Sequence, residues 1–548
     1  NAINRQDDLY EIPIMVNDGN DGIFDGNDYF LFFGEDQVKW DFVNENWSHQ
    51  NNYFSDSAYY FITLSGGVGD PKRITSVEET STSNRVSTTY DYYDFHESDN
   101  VNLIKSGREW YGEQLGLVSS YDFGFSIPNV DLGEKVNVKA RIALRSVSIS
   151  GSGVTLSLPS QGSVSDSILI KAVPSSYASQ FAKSGTASIS ILPKNADFLT
   201  KVAINYGNNP SAQAWIDYIE LSGRRSISFL APSMKFRDTK SIGAGNVSRF
   251  VISNSHVDLK VWDITNVLDV KDIKPLAFTS GKFEFNIATD SLKEFIAFNE
   301  EAFMQPNRIG FINNQNLHSL TSMDYLVITH PSFKTYADEI AKMHEDLDGF
   351  TTAVINVNDI YNEFSGGAQD ITAIREFIRM IYARGQGTEH PLEYLLLFGD
   401  ASYDYKDRVS GNSNFVPSHQ TLESLIPTAS VVSDDYFGLL DDNESESPAD
   451  LVDISIGRLP ARNRTEAQRM VEKIKNYSTS KSTFGDWRNM VTLVADDPEG
   501  FRADFQEQSS TLGALADSLS PEFNIQKIYL DAYKQVSGSG GERYPDAA

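Results

Sequence analysis

The sequence contains no cysteine. That absence excludes disulfides, thiolate-ligated zinc and a cysteine nucleophile within these residues, and it leaves the compartment open, because many exported bacterial proteins lack disulfides. Long apolar runs are missing as well: YFLFFG at 29–34 and LLLFG at 395–399 are strand-length, well short of the ~18 residues a membrane-spanning helix needs. Basic residues are scarce, 46 Lys and Arg against 75 Asp and Glu, for a formal net charge of -29. A field of that sign repels phosphate backbones and anionic membranes. It argues against nucleic acid as a partner and makes cations such as calcium good candidates, although an acidic surface kept for solubility is the simpler account. The eight histidines form no HExxH or other close pair, so zinc is unsupported. No Gly-x-Ser-x-Gly, Walker loop or dinucleotide fingerprint occurs either.

What is present describes a folded, multidomain protein. Apolar residues make up 40% of 548, with 25 Tyr and 33 Phe, far from the composition of disorder. A single core stops growing near ~250 residues, so this length requires several. Residues 1–115, rich in aromatics and turn formers with strand-like pieces at 9–16, 29–34 and 59–65, read as an N-terminal β domain. Residues 116–232 read as a β-sandwich: Val136, Val138, Ala140, Ile142 and Leu144 share one face, and Val202, Ile204 and Tyr206 repeat the period of two. Residues 233–315 are a β-rich linker region.

After Met323 the period changes. Short apolar strands at 325–329, 352–357 and 394–399 alternate with helical stripes, one of them Ile374, Phe377, Ile378 and Ile381 behind Asp370 as N-cap. The unit repeats through strand 453–457, helix 465–477, strand 491–495, a helix at about 502–519 and strand 525–530. Such alternation builds a mostly parallel sheet covered on both faces, divided here into a subdomain at 316–484 and the start of a second at 485–548. Chemistry in these sheets gathers at the carboxyl ends of the strands, which nominates His330, Asp400, Arg458, Asp496 and Asp497.

Two groups of carboxylates are candidates for calcium. In NDGNDGIFDGND, counting from Asn17 against an EF-hand-like loop puts Asn17, Asp21, Asp25 and Asp28 at ligand positions, with Gly22 at the turn and Gly19 where another ligand belongs. Ordinary Asx-Gly turns produce the same pattern without metal. Asp400, Asp404, Asp434 and Asp435, in GDASYDY and SDDYFG, can hold calcium or cap helices and turns. No cofactor is required by either reading. His330 ends a strand and can act as a general base, but no cysteine exists here for it to activate.

GDASYDYKDR, SVVSDDYFGLLDD, DISIGRLPARNRTEAQRMVEKIKNY and WRNMVTLVADD resemble the first half of the gingipain-like cysteine peptidase domain, and QNLHSLTSMDYLVITHPSF resembles its opening. Upstream, DGNDGIFDGNDYFLFFGE, SGREWYGEQLG and WIDYIELSGRR are similar to the N-terminal region of the sortase branch of that family, which serves the type IX secretion system. The resemblance implies a caspase-like α/β peptidase at the cell surface, on the exterior of the outer membrane. Such an enzyme removes the C-terminal sorting domains of exported proteins and transfers them to a surface lipopolysaccharide, together with other outer-membrane components of that system. It implies that the catalytic His and Cys come after residue 548, and that Asp497, or else Asp496, orients the His; either can instead cap the helix near 502. A non-catalytic surface scaffold and a secreted gingipain-like endopeptidase are the alternatives. The first residue is not Met, so any signal peptide has been removed or lies upstream, and YPDAA at 544–548 reads as the start of a helix.

Overall fold

The strand Val136–Arg145 shows how the pattern builds the fold. Its alternating apolar residues Val136, Val138, Ala140, Ile142 and Leu144 are all buried. They face a core completed by Val154, Leu156, Phe198 and Val202 from an opposing sheet. One sheet of this first sandwich is ordered Lys183–Ile191, Val136–Arg145, Gln213–Ser226, Thr89–Glu97. The other is ordered Val164–Leu169, Gly153–Leu158, Asp197–Asn205, Ser120–Ser126. All these pairings are antiparallel, as a half-buried alternation requires. The computed structural model describes every residue except 1–7, 20, 22, 27, 44–45, 65–68, 79–80, 148–150, 174–179, 208, 443, 445–449, 497–504, 539–540 and 548.

The segment expected as a β-rich linker carries a second sandwich with its own core. Ser233–Arg237, Glu294–Phe298, Lys260–Asp263 and Lys271–Ile273 make one sheet, and Ala277–Thr279, Lys282–Ala288 and Val247–Ile252 the other. Each is closed by a strand from the first hundred residues, Thr75–Val77 and Arg85–Ser87, added in parallel. Phe236, Phe250, Phe285 and Phe295 fill the interior; Phe250 and Phe285 stack at 5.3 Å between centroids. The remaining N-terminal strands form two hairpins, Met15–Asn17 with Tyr29–Leu31 and Val38–Val43 with Asn46–Asn51. No strand forms at 59–64, where the sequence suggested one.

The switch of period after Met323 is real. Four parallel strands follow, ordered Thr352–Asn356, Tyr325–Thr329, Tyr394–Phe398, Ser455–Leu459. Tyr325–Thr329 is buried along its whole length, as a strand covered on both faces must be. The helices Lys334–Asp348, Val357–Phe364 and Ile371–Gly385 supply the cover. Asp370 caps the last of these, accepting the Thr372 N–H at 2.7 Å. The chain divides into two compact units, Asn1–Ala467 and Gln468–Ala548. The second unit holds the parallel pair Met490–Ala495 and Asn524–Tyr529, the helix Phe505–Leu519 and a hairpin, Val536–Gly538 with Gly541–Arg543. Where a helix start was expected, residues 544–547 form a turn, with Ala547 N–H donating to Tyr544 O at 3.1 Å.

Candidate active-site edge

Strand order locates the site. The chain enters the parallel sheet at Tyr325–Thr329, moves to one side for Thr352–Asn356, then crosses to the other side for Tyr394–Phe398. The reversal leaves a switch point outside the carboxyl ends of the first and third of these strands, where open α/β sheets bind and react. His330 and Asp400 are the residues that leave those two ends.

His330 is half-buried. Its Nδ1 accepts the Ser332 N–H at 3.2 Å, and its ring lies 5.0 Å from Phe415. Burial lowers its pKa, so the imidazole is neutral at physiological pH. Asp400 follows Gly399, whose φ is +151° and whose added Cβ would lie 2.9 Å from Phe415, so glycine is required there. Asp400 Oδ2 accepts the Ser413 hydroxyl at 2.6 Å, and its carbonyl accepts the Phe415 N–H at 2.9 Å. Arg458 ties both ends of the segment 399–416 to Asp434. Its Nε and Nη2 each lie 2.7 Å from an Asp434 oxygen, and its Nη1 donates to the carbonyls of Gly399 and Val416, both at 2.7 Å. A planar guanidinium in this geometry is fully satisfied and holds the edge rigid.

Of the carboxylates named from the sequence, those of Asp400, Asp404 and Asp434 are spent on the loops of this edge. Asp404 is fully buried and accepts the backbone N–H of Lys406 at 3.2 Å and of Val409 at 2.6 Å. Asp435 donates its own N–H to Ser433 Oγ at 3.0 Å. Asp496 is exposed, directly after Met490–Ala495 in the second unit, and Asp497 lies outside the described residues. Among the described residues, the one group of three acidic or histidine side chains whose ligand atoms lie within 4.8 Å is Asp441, Glu444 and Asp453. Sequence reasoning did not single it out, because Asp453 lies nine residues after Glu444 and twelve after Asp441. In the N-terminal loop, Asp21 Oδ1 accepts the Ile23 N–H at 2.8 Å and Asp28 Oδ2 the Asp25 N–H at 2.5 Å. Asn17 is the last residue of the strand Met15–Asn17. Two of the four proposed ligands thus already close turns, and each carboxylate keeps further lone pairs.

Residues the sequence reading passed over also reach the edge. Gln369 donates to Tyr405 O at 2.8 Å and to Phe54 O at 3.3 Å, and Asn414 donates to Gln369 at 3.2 Å. The clustered aromatics Tyr53, Phe54, Tyr59, Tyr60 and Phe61 were the available signal, and only 59–65 was read, as a strand.

Comparison with known proteins agrees with this layout. Residues 318–548 match the sequence profile of peptidase family C25, a family of cysteine peptidases. The chain superposes on dimeric latent PorU from Porphyromonas gingivalis with a TM-score of 0.72 and 24% identity, over 93% of this chain and 47% of that one. It therefore spans about half the length of that relative. A protease at 18% identity (31% of each chain, TM-score 0.23) carries no argument. Nor does the carbohydrate-binding module CBM36 in complex with calcium and xylotriose, at 16% identity, 23% of this chain, 98% of that one and a TM-score of 0.16. No curated protein matches the chain by sequence. No helix among the described residues is long and apolar enough to cross a membrane. The chain has the fold of PorU, and its residues 318–548 match the cysteine peptidases of family C25.

Proposed function

We propose that this chain is the N-terminal and central part of a PorU-type surface sortase, a cysteine peptidase that cuts C-terminal sorting domains from type IX secreted proteins and joins the new carboxyl end to a surface lipopolysaccharide. The observation that carries this reading is the likeness to PorU over 93% of the chain, β-sandwiches included, and not over the peptidase segment alone. With no cysteine among 548 residues, the proposal takes the thiolate from elsewhere in the protein, and its base with it. The residues present build the scaffold: they hold the strand-end loops rigid and exclude the local disorder that would misplace a substrate by an ångström. Asp497, or Asp496 beside it, is assigned the role of orienting the imidazole. Partners are exported proteins bearing sorting domains and other outer-membrane components of the secretion system. Calcium at Asn17, Asp21, Asp25 and Asp28 belongs to the proposal as a stabilising ion, with no step of the chemistry routed through it.

An orienting carboxylate holds the imidazole's tautomer and stabilises the imidazolium, so its loss lowers turnover more than substrate binding. In the longer protein carrying the Cys and His, Asp497→Asn should cut kcat at least tenfold while KM changes little. Asp496→Asn tests the second choice in the same assay. Wild-type turnover in both variants would leave these residues as helix caps.

A further inference from the structure

The loop that leaves the strand Tyr394–Phe398 at the switch point runs from 399 to about 425, and the bridge His419–Gln420 with Val432–Ser433 is its one regular pairing. A loop of that length has to be ordered by something. Two grips from the N-terminal β region do so, and all the residues concerned lie within the unit Asn1–Ala467.

The first grip is residues 52–61. Phe54 sets its ring edge-on to Tyr405 at 5.0 Å and packs on the core of the α/β domain. Gln369 joins Phe54 to Tyr405 through the two carbonyls already described. Asp56 pairs with Lys406 at 2.5 Å, where the lysine side chain is 5% exposed and the aspartate 75%. Tyr59 and Phe61 lie across Gly367, where a Cβ would come within 3.0 and 3.1 Å of them and φ is +92°. The second grip comes from the first sandwich. Gly107 N–H donates to Gln420 Oε1 at 3.0 Å and Glu109 N–H to Ser424 Oγ at 2.9 Å. Trp110 stacks on Tyr403 at 5.8 Å, Arg408 lies 4.4 Å over Trp110, and Arg408 pairs with Asp99 at 2.8 Å. Between the grips is a polar cavity of about 540 Å³, so the seam is not one sealed apolar core and its contacts can be altered singly.

We propose that Phe54 and Trp110 are positioning residues for the peptidase site, fixing the 399–425 loop at the switch point so that the N-terminal β region is a permanent part of the substrate-side wall. The catalytic half of this inference rests on the sortase reading above; the gripping half does not. Neither residue touches the reacting atoms. Each acts by limiting the conformations of a loop that substrate must contact.

Hydrogen exchange of the 548-residue chain and steady-state kinetics of the longer protein on a sorting-domain substrate test it together. Phe54→Ala and Trp110→Ala should each speed exchange within 400–416 at least tenfold while Tyr325–Thr329 and Tyr394–Phe398 stay protected. The same variants should raise KM at least fivefold with a smaller change in kcat, and Phe54→Leu should recover most of the loss. Should Phe54→Ala fail to fold, Asp56→Asn at the exposed partner of Lys406 reads the same loop. Wild-type exchange in the loop overturns the proposal, as does faster exchange throughout the parallel sheet, which would mark a merely structural role. Local loosening with unchanged KM overturns the catalytic half. A longer protein that cuts no sorting domain would sink the sortase reading, while the exchange data would still decide whether the grips order the loop.

Discussion

Asp404 and His49 illustrate how far single residues can be read. Asp404 was legible from the sequence as a carboxylate at a strand-end loop, and as nothing more, because the amides it serves, Lys406 and Val409, are backbone groups that any sequence has. Fully buried and accepting both, it should not tolerate removal. Asp404→Ala leaves two orphaned N–H groups, and denaturant melts should show a loss on the order of 2–4 kcal/mol; a change below the error of the melt would contradict the assignment. His49 carried no signal at all, since its partners are 48 and 171 residues away. Its Nε2 lies 2.5 Å from Glu97 and its Nδ1 2.7 Å from Glu220, and Lys139 Nζ lies 3.0 Å from Glu220. Burial alone would lower its pKa, but the bonds to Glu220 and Glu97 and their charge outweigh this and raise it to about 9. A histidine held above its ordinary 6.5 contributes stability that is complete below that value and lost as pH rises through about 9. Asp217 and Asp99, pushed up by burial to about 7 and about 6, shift the balance in the same direction at lower pH. The melting temperature should therefore fall from pH 7.5 to 9.5, and His49→Gln should flatten that interval. A melt independent of pH there would refute the network's role.

At the scale of elements, periodicity found what is periodic. The strand Val136–Arg145, the cap at Asp370 and the change of architecture after Met323 all follow from local pattern, because a strand or helix buries one face whatever its partners. The second sandwich was less visible. Its sheets are completed by Thr75–Val77 and Arg85–Ser87, three-residue strands paired to segments more than 160 residues away, and no local rule encodes that. The strand expected at 59–65 failed in the opposite sense: the aromatics Tyr59 and Phe61 lie against Gly367 of the α/β domain and do not pair in a sheet. The loop between Met15–Asn17 and Tyr29–Leu31 has its own test. If calcium binds, a chelator should lower the first melting transition by several degrees, and Asp21→Ala or Asp25→Ala should abolish the difference. Identical calorimetric traces with and without chelator would remove the ion from the account.

For the whole molecule, the charge of -29, the β-sandwiches and the α/β domain describe a scaffold matched to PorU along nearly its entire length, yet lacking the atom that family's chemistry needs. The candidate site was legible as a location, the carboxyl edge of the parallel sheet, because topology nominates it. It was not legible as a mechanism, because the acids there hold loops in place and the thiolate is absent. A chain without a thiolate has no route to the thioester acyl-enzyme of a cysteine peptidase. The decisive measurement is cleavage of a sorting-domain substrate by the 548-residue chain and, side by side, by the longer protein of the proposal, with the Cys and His that the proposal assigns to it. The account predicts no turnover above buffer for the former and turnover that is blocked by a thiol alkylator for the latter. Cleavage by the 548-residue chain alone, insensitive to alkylation, would contradict it.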